Sequence, residues 1–290
     1  MSGLLGKLWK QNMLIDLEKA NDDVKLEAEV CVVGAGAAGV ALARDLMNAG
    51  REVCLLEAGG MDYDEQTQSL TKGEVIGMEY YELDHSRLRF FGGTTNIWGG
   101  RSIPLDRIDF EKRDWVPHSG WPITVDDLLP YYKTAHDSLD LGDYDYEADN
   151  WQKLNLRPIN FNPEKITHRF WRFDELKERF NSRRSDDLVQ SKNVQIVLHA
   201  NMVGMQTTEN ASAVTCLDAQ SLQGRKLKVR ARHYVLACGG IENARMLLTC
   251  NKVQANGIGN EFDQVGRYFM EHTHGRLAHN ETKDPAAFWA

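Results

Sequence analysis

No apolar run in these 290 residues approaches the ~20 that a membrane-spanning helix requires. The opening stretch, MSGLLGKLWKQNMLIDLEK, is broken by charge and amide too often for a secretory signal, so a cytoplasmic location is expected. There is no CxxC spacing, and the five cysteines, Cys31, Cys54, Cys216, Cys238 and Cys250, mostly sit inside apolar runs. An odd number without metal-ligand spacing speaks against a disulfide framework or a zinc site, and the thiols are read as reduced core residues. Charge of one sign is nowhere massed: 34 Lys and Arg against 42 Asp and Glu give a net charge of -8, spread along the chain. That balance makes nucleic acid an unexpected partner. With 7 prolines and no repeat or low-complexity tract, the chain is neither fibrous nor disordered. Its length suits one large or two ordinary domains.

What is present is concentrated first in residues 29–60, EVCVVGAGAAGVALARDLMNAGREVCLLEAGG. Residues 30–33 form a β-branched apolar run of the kind buried on both faces of a parallel sheet. Gly34, Gly36 and Gly39 then supply GxGxxG. Val40, Ala43 and Met47, with Leu42 and Leu46 beside them, recur at helical spacing up to Gly50. A second apolar strand, residues 53–56, ends in Glu57. This complete β-α-β unit predicts dinucleotide binding. Gly34 makes the tight turn, Gly36 lets a pyrophosphate touch the backbone, Gly39 allows close helix–sheet packing, and the anion sits at the helix start. Glu57 can accept ribose hydroxyls and would repel a 2′-phosphate. FAD and NAD both satisfy this unit.

Residues 61–88 are polar and irregular, suited to a long connection beside a ligand. Next comes FFGGTTNIWGGR, two diglycines around a polar run with a tryptophan against the second. Residues 106–190 are rich in aromatic and charged residues, and WPITVDDLLPYYKTAHDSL within them carries a capping-box helix start at Thr124 and Asp127. Beyond 190, NVQIVLHANMVGMQ, SAVTCLDAQ and RKLKVRARHYVLA read as an antiparallel meander that closes on a strand–diglycine–helix junction, YVLACGGIENARMLL.

These stretches, together with SGWPITVDDLLPYY and VGRYFMEH, make the chain resemble the glucose-methanol-choline oxidoreductases, nearest to bacterial sugar and glucoside dehydrogenases and pyranose oxidases. The resemblance runs from about residue 27 to 274. It implies an α/β fold: a Rossmann-like FAD/NAD(P)-binding domain with a helical insertion and part of an antiparallel-sheet substrate domain, the C-terminal part of the family fold missing. On that basis residues 1–26 are an extension, 27–105 the first part of the FAD domain, and 106–190 an insertion or cap on the substrate side. Residues 191–275 are the return strands and helix, and 276–290 a truncated tail.

By the same resemblance the cofactor is FAD and not NAD. Gly34, Ala35, Gly36, Ala38 and Gly39 would hold its pyrophosphate, and Glu57 with Ala58 its adenosine ribose. Gly92, Gly93, Asn96 and Trp98 would lie along the pyrophosphate, ribityl chain and flavin. Val203 would offer backbone to the adenine edge, and Cys238 and Gly239 would turn beside the adenosine. The diglycine loop holds no histidine for covalent attachment, so non-covalent FAD is expected, with His85 just upstream the one nearby histidine.

The implied activity is oxidation of a CH–OH group of a sugar or other alcohol, with hydride passing to the flavin and a histidine taking the proton. Family members carry that histidine, paired with His or Asn, in a C-terminal segment that this sequence does not contain. The catalytic residues are therefore expected beyond residue 290, on a further segment or a complementing chain, and the electron acceptor is left open. The alternative is a flavin-binding or partner-binding protein without catalysis. His272 and His274, spaced i, i+2, are read as an ordinary structural or surface pair over a metal or catalytic one. No motif surrounds His118, His136, His168, His199, His233 or His279.

Overall fold

The computed structural model describes residues 13–146, 153, 162, 164–165, 169–174 and 180–272. The strands are β1 (Leu14–Asp16), β2 (Val24–Val33), β3 (Val53–Leu56), β4 (Arg101–Ser102), β5 (Arg172–Phe173), β6 (Val194–Leu198), β7 (Asn201–Thr207), β8 (Val214–Gln220) and β9 (Lys226–Leu236). Three longer helices are α1 (Ala37–Asn48), α2 (Val125–Leu139) and α3 (Gly239–Thr249). Part of the stretch read as an extension is thus in the sheet: β1 pairs parallel with β6, and Leu17 behind it is fully buried.

β1, β6, β3, β2, β9, β8 and β7 form one seven-stranded sheet in that order, parallel from β1 to β9 and antiparallel beyond. The central strands are buried on both faces, and their alternation is visible residue by residue. Val30, Val32, Val53, Leu55 and Ile196 face α1 with Val40 and Ala43. Cys31, Val33, Cys54, Leu56 and Val197 face the other side. That second face is covered by the meander, since Met202, Leu217, Leu227 and Val229 belong to the same cluster.

The meander must curl to reach it. NVQIVLHANMVGMQ, which reads as one strand, breaks at His199, whose φ of 53° turns the chain. Its halves become β6 and β7, five ladder spacings apart, which is ~24 Å in a flat sheet. Leu198 and Asn201 lie three residues apart, a span of at most ~11 Å. Only a sheet folded back over its own parallel half satisfies both.

In the insertion, α2 starts as its sequence predicts: the Thr124 side chain accepts from the Asp127 N–H, and Asp127 accepts in return from the Thr124 N–H. β4 and β5 form a separate antiparallel pair that ties the end of the diglycine loop to residues 172–173.

Candidate cofactor site

The β2–α1 turn is built from its glycines. Gly34 leaves β2 with φ +100°, and its N–H donates to Leu56 O at 2.8 Å. A Cβ on Gly39 would stand 1.8 Å from Gly34 O, so this position sets the closeness of α1 to the turn. Gly36 is different: a Cβ there would meet nothing within 4 Å. It is the N-cap of α1 in extended conformation, and no side chain caps the helix. The first N–H groups of α1 are thus left for a ligand, at the end where the helix dipole favours an anion.

Two distant segments close on this turn. The Gly92 N–H donates to Ala35 O at 2.7 Å, and a Cβ on Gly93 would lie 3.2 Å from the Gly36 Cα. A Cβ on Gly34 would stand 2.6 Å from Ala237 O. The three segments therefore meet backbone to backbone: no side chain fits at Gly34 against Ala237, and little room is left between Gly93 and Gly36.

Beside the cluster Glu57 is 5% exposed, and its two carboxylate oxygens accept from the Ala35 N–H at 2.9 Å and the Gly59 N–H at 3.0 Å. Burial pushes its carboxyl above the ordinary value, opposed by those N–H groups and by the guanidinium of Arg89. Burial likewise pushes the Cys238 thiol up to about 12, which keeps it neutral and unreactive.

A cleft of about 480 Å³ opens on this cluster and is lined by Gly34, Gly36, Ala38, Glu57, Ala58, Gly93, Cys238 and Gly239, among others. Ala35, Gly39 and Gly92 stand behind that lining as its frame. Asn96 is committed to its own loop, its amide donating to Phe91 O at 3.0 Å and Gly93 O at 2.8 Å. Only its acceptor oxygen remains for a ligand. Trp98 packs against Phe180, and its buried indole N–H has no partner among the described residues. Val203 is 59% exposed and outside the lining, which takes its neighbours Ala200 and Met202 instead.

Sequence reasoning passed over a charged wall of the cleft. Glu242, at the start of α3, bonds Arg87 through one oxygen and Arg245 through the other, each at 2.8 Å, and Arg89 stands 3.8 Å away. Three cations surround one carboxylate. The signal was local, since SRLRFFGG places both Arg87 and Arg89 just before the diglycine, but no spacing rule links them to Glu242.

An uncapped helix start, open space at Gly36 and a buried carboxylate in one cleft fit a dinucleotide with a pyrophosphate and a ribose. His85 is exposed and outside the lining. Among the described residues His272 bonds its neighbour Glu271, and His274 lies outside them. His136 is a satisfied core histidine, held by Gly142 O and the Tyr146 hydroxyl. Asp16, Glu18 and His199 gather within ligand distance of one another. Lys19 and His199 already take the two oxygens of Asp16, so the group reads as a latch on β1. A second depression of about 550 Å³ lies at the end of α2, lined by Lys133, His136, Asp137 and Asp140, and none of the glycine motifs reaches it.

A family model described as FAD dependent oxidoreductase matches residues 29–180. The chain is 27% identical to a 6'''-hydroxyparomomycin C oxidase of Streptomyces lividus, over 89% of this chain and 57% of that protein. It is 24% identical to a paromamine 6'-oxidase of Streptomyces fradiae, over 82% of this chain and 52% of that one. Among solved structures, a formate oxidase variant of Aspergillus oryzae superposes with a TM-score of 0.51 at 15% identity, covering 80% of this chain and 48% of its own. The chain thus spans about half the length of the relatives it matches.

Proposed function

Since the chain belongs to the FAD dependent oxidoreductase family, we propose that it is the cofactor-binding part of an oxidoreductase of the glucose-methanol-choline type, acting on a CH–OH group of a sugar or another alcohol. The observation that carries this reading is the backbone cluster in which Gly93 rests on Gly36 and Gly34 on Ala237. A β-α-β unit alone serves NAD equally well, whereas a diglycine loop laid along its turn matches the family resemblance.

When bound, FAD supplies the hydride acceptor. The chain's own part is to bind and orient it. The N–H groups at the start of α1, with Gly34, Ala35, Gly36, Ala38 and Gly39, hold the pyrophosphate. Glu57 and Ala58 take the ribose, and Cys238 and Gly239 border the adenosine, on the side where Ala200 and Met202 line the cleft in place of Val203. Gly92 and Gly93 lie on the ribityl and flavin side, and Asn96 and Trp98, both outside the cleft lining and the latter with its indole N–H buried, support that loop from behind. The attachment is non-covalent. The general base is proposed to come from a further segment or a complementing chain.

One relative is named as an oxidase of 6'''-hydroxyparomomycin C and the other as an oxidase of paromamine at its 6' position. A sugar alcohol is the substrate class proposed here, and a net charge of -8 favours approach of a cationic sugar over an anionic one. The test is to purify the chain with FAD, remove oxygen, add paromamine-type sugars and simple alcohols, and follow the flavin absorbance. Bleaching by a sugar, with the chain alone or together with a further segment, is the expected result. Flavin that binds but never bleaches supports a binding protein instead, and a chain that binds no flavin overturns the reading.

A further inference from the structure

The segment that leads into the diglycine, residues 84–91, is held by one buried side chain. Gln68 ends a one-turn helix, Glu65–Gln68, and is 4% exposed. Its amide nitrogen donates to Arg87 O at 2.6 Å and Asp84 O at 2.7 Å, with Thr71 Oγ1 at 3.2 Å, and its oxygen accepts from the Arg89 N–H at 2.9 Å. The amide is fully used and its orientation is fixed, because turned over it would set an N–H against an N–H and an oxygen against two carbonyls. What it holds is passed on within a few residues. The Arg89 carbonyl lies where a Cβ of Gly59 would be, at 2.1 Å, the Phe91 N–H donates to Gly60 O at 3.0 Å, and the Gly92 N–H donates to Ala35 O at 2.7 Å. Gln68 itself stands behind the cleft lining, which takes Thr71, Arg87, Leu88, Arg89 and Gly93.

We propose that Gln68 is a positioning residue of the cofactor cleft, a buried amide that sets the path of residues 84–89 so that the diglycine reaches the β2–α1 turn already shaped for FAD. This rests on the reading that FAD lies along the diglycine. Between β3 and the diglycine the chain has only short helical turns and no strand, so side-chain bonds must order it. A loop ordered before its ligand arrives does not subtract its ordering entropy from the affinity. Arg87 adds a second tie, its guanidinium donating to Leu83 O at 3.2 Å and Thr71 O at 2.9 Å. Those bonds reach back only to the start of the segment, whereas Gln68 alone takes the Arg89 N–H, next to the residues that touch Gly59 and Gly60.

The experiment measures FAD affinity of the whole chain by flavin fluorescence quenching, where every variant is fully folded, beside the urea midpoint of the FAD-free chain. Gln68→Met keeps the length of the side chain and removes its polar atoms. It should lose about tenfold in FAD affinity near pH 7. In the FAD-free variant the amides of residues 89–92 should exchange with deuterium about tenfold faster than in wild type, while those of β2 and β3 do not. Gln68→Glu keeps an acceptor for the Arg89 N–H but sets a carboxylate against the carbonyls of residues 84 and 87. It should bind as weakly as Gln68→Met at about pH 8 and regain at least about threefold, relative to wild type at the same pH, toward about pH 5, where a protonated carboxyl donates again. The guanidinium groups of the segment are turned elsewhere, Arg87 to Glu242 and Arg89 to Asn201. Its other titratable neighbours, Asp64 and Glu65 on its own turn and Asp84 and His85 opposite, are the same in wild type. A Gln68→Met chain whose midpoint falls while affinity and exchange at 89–92 stay as in wild type overturns the proposal, since a purely structural amide does that. A Gln68→Glu profile parallel to wild type overturns it too, and decides alone if Gln68→Met does not fold. A wild type that binds no FAD sinks instead the cofactor reading beneath it.

Discussion

Gly36 and Gly39 are three residues apart and share one motif, yet a methyl group would do opposite things at the two positions. At Gly39 it meets the carbonyl of Gly34 at 1.8 Å. The turn and α1 must then separate, at a cost of about 3 kcal/mol. Gly39→Ala should therefore lower the unfolding midpoint of the FAD-free chain in urea or heat. At Gly36 the methyl enters open space, and Gly36 already has a φ of -79° that alanine adopts freely. Gly36→Ala should change FAD-free stability by less than about 1 kcal/mol and weaken FAD about tenfold, or ~1.4 kcal/mol, because the methyl occupies the space beside the uncapped helix start. Equal effects of the two changes on folding and on FAD would contradict this division of roles.

α3 is tied to the loop before the diglycine through Glu242, an element-scale bond between residues 87 and 245. Burial alone would raise the Glu242 carboxyl, but the bonds from Arg245 and Arg87 hold it below its ordinary value. A depressed carboxyl stabilises the fold fully above its unfolded pKa, and that contribution fades as pH falls through the lower folded value. Glu242→Gln strands three guanidinium groups in a partly buried wall and should cost about 3 kcal/mol near neutrality. The gap between wild type and variant in thermal melts should shrink as the pH drops through and below the ordinary carboxylate range. A gap that is constant with pH would mean that the ion pairs carry little. At this scale the sequence was legible where local patterns decide the element: the β2–α1–β3 unit from its apolar periods, and the start of α2 from Thr124 and Asp127. It was illegible where distant partners decide. Nothing within NVQIVLHANMVGMQ says that its two halves lie five ladder spacings apart, because His199 is an ordinary residue whose left-handed turn is imposed by what surrounds it. Arg89 was missed for the same reason, since its partners Asn201 and Glu242 are far along the chain.

For the whole molecule, the cleft exists only when the sheet has folded. Its three glycine segments leave the ends of β2 and β9 and the loop at residues 92–93, and they touch only after β9 has paired with β2 along its length. An unfolded chain brings none of them together, so FAD binds the native state alone and stabilises it by mass action. At a free FAD concentration about 100 times the Kd, the gain is ~2.7 kcal/mol. For a chain of 290 residues that corresponds to a rise of roughly 4–5 °C in the melting midpoint. The shift should grow logarithmically with FAD, and Gly36→Ala should need about tenfold more FAD to match it. Differential scanning fluorimetry read on tryptophan emission, which avoids the flavin signal, makes the measurement. A midpoint unmoved by saturating FAD would show that the glycine cluster is not the cofactor's seat, whatever the rest of the fold resembles.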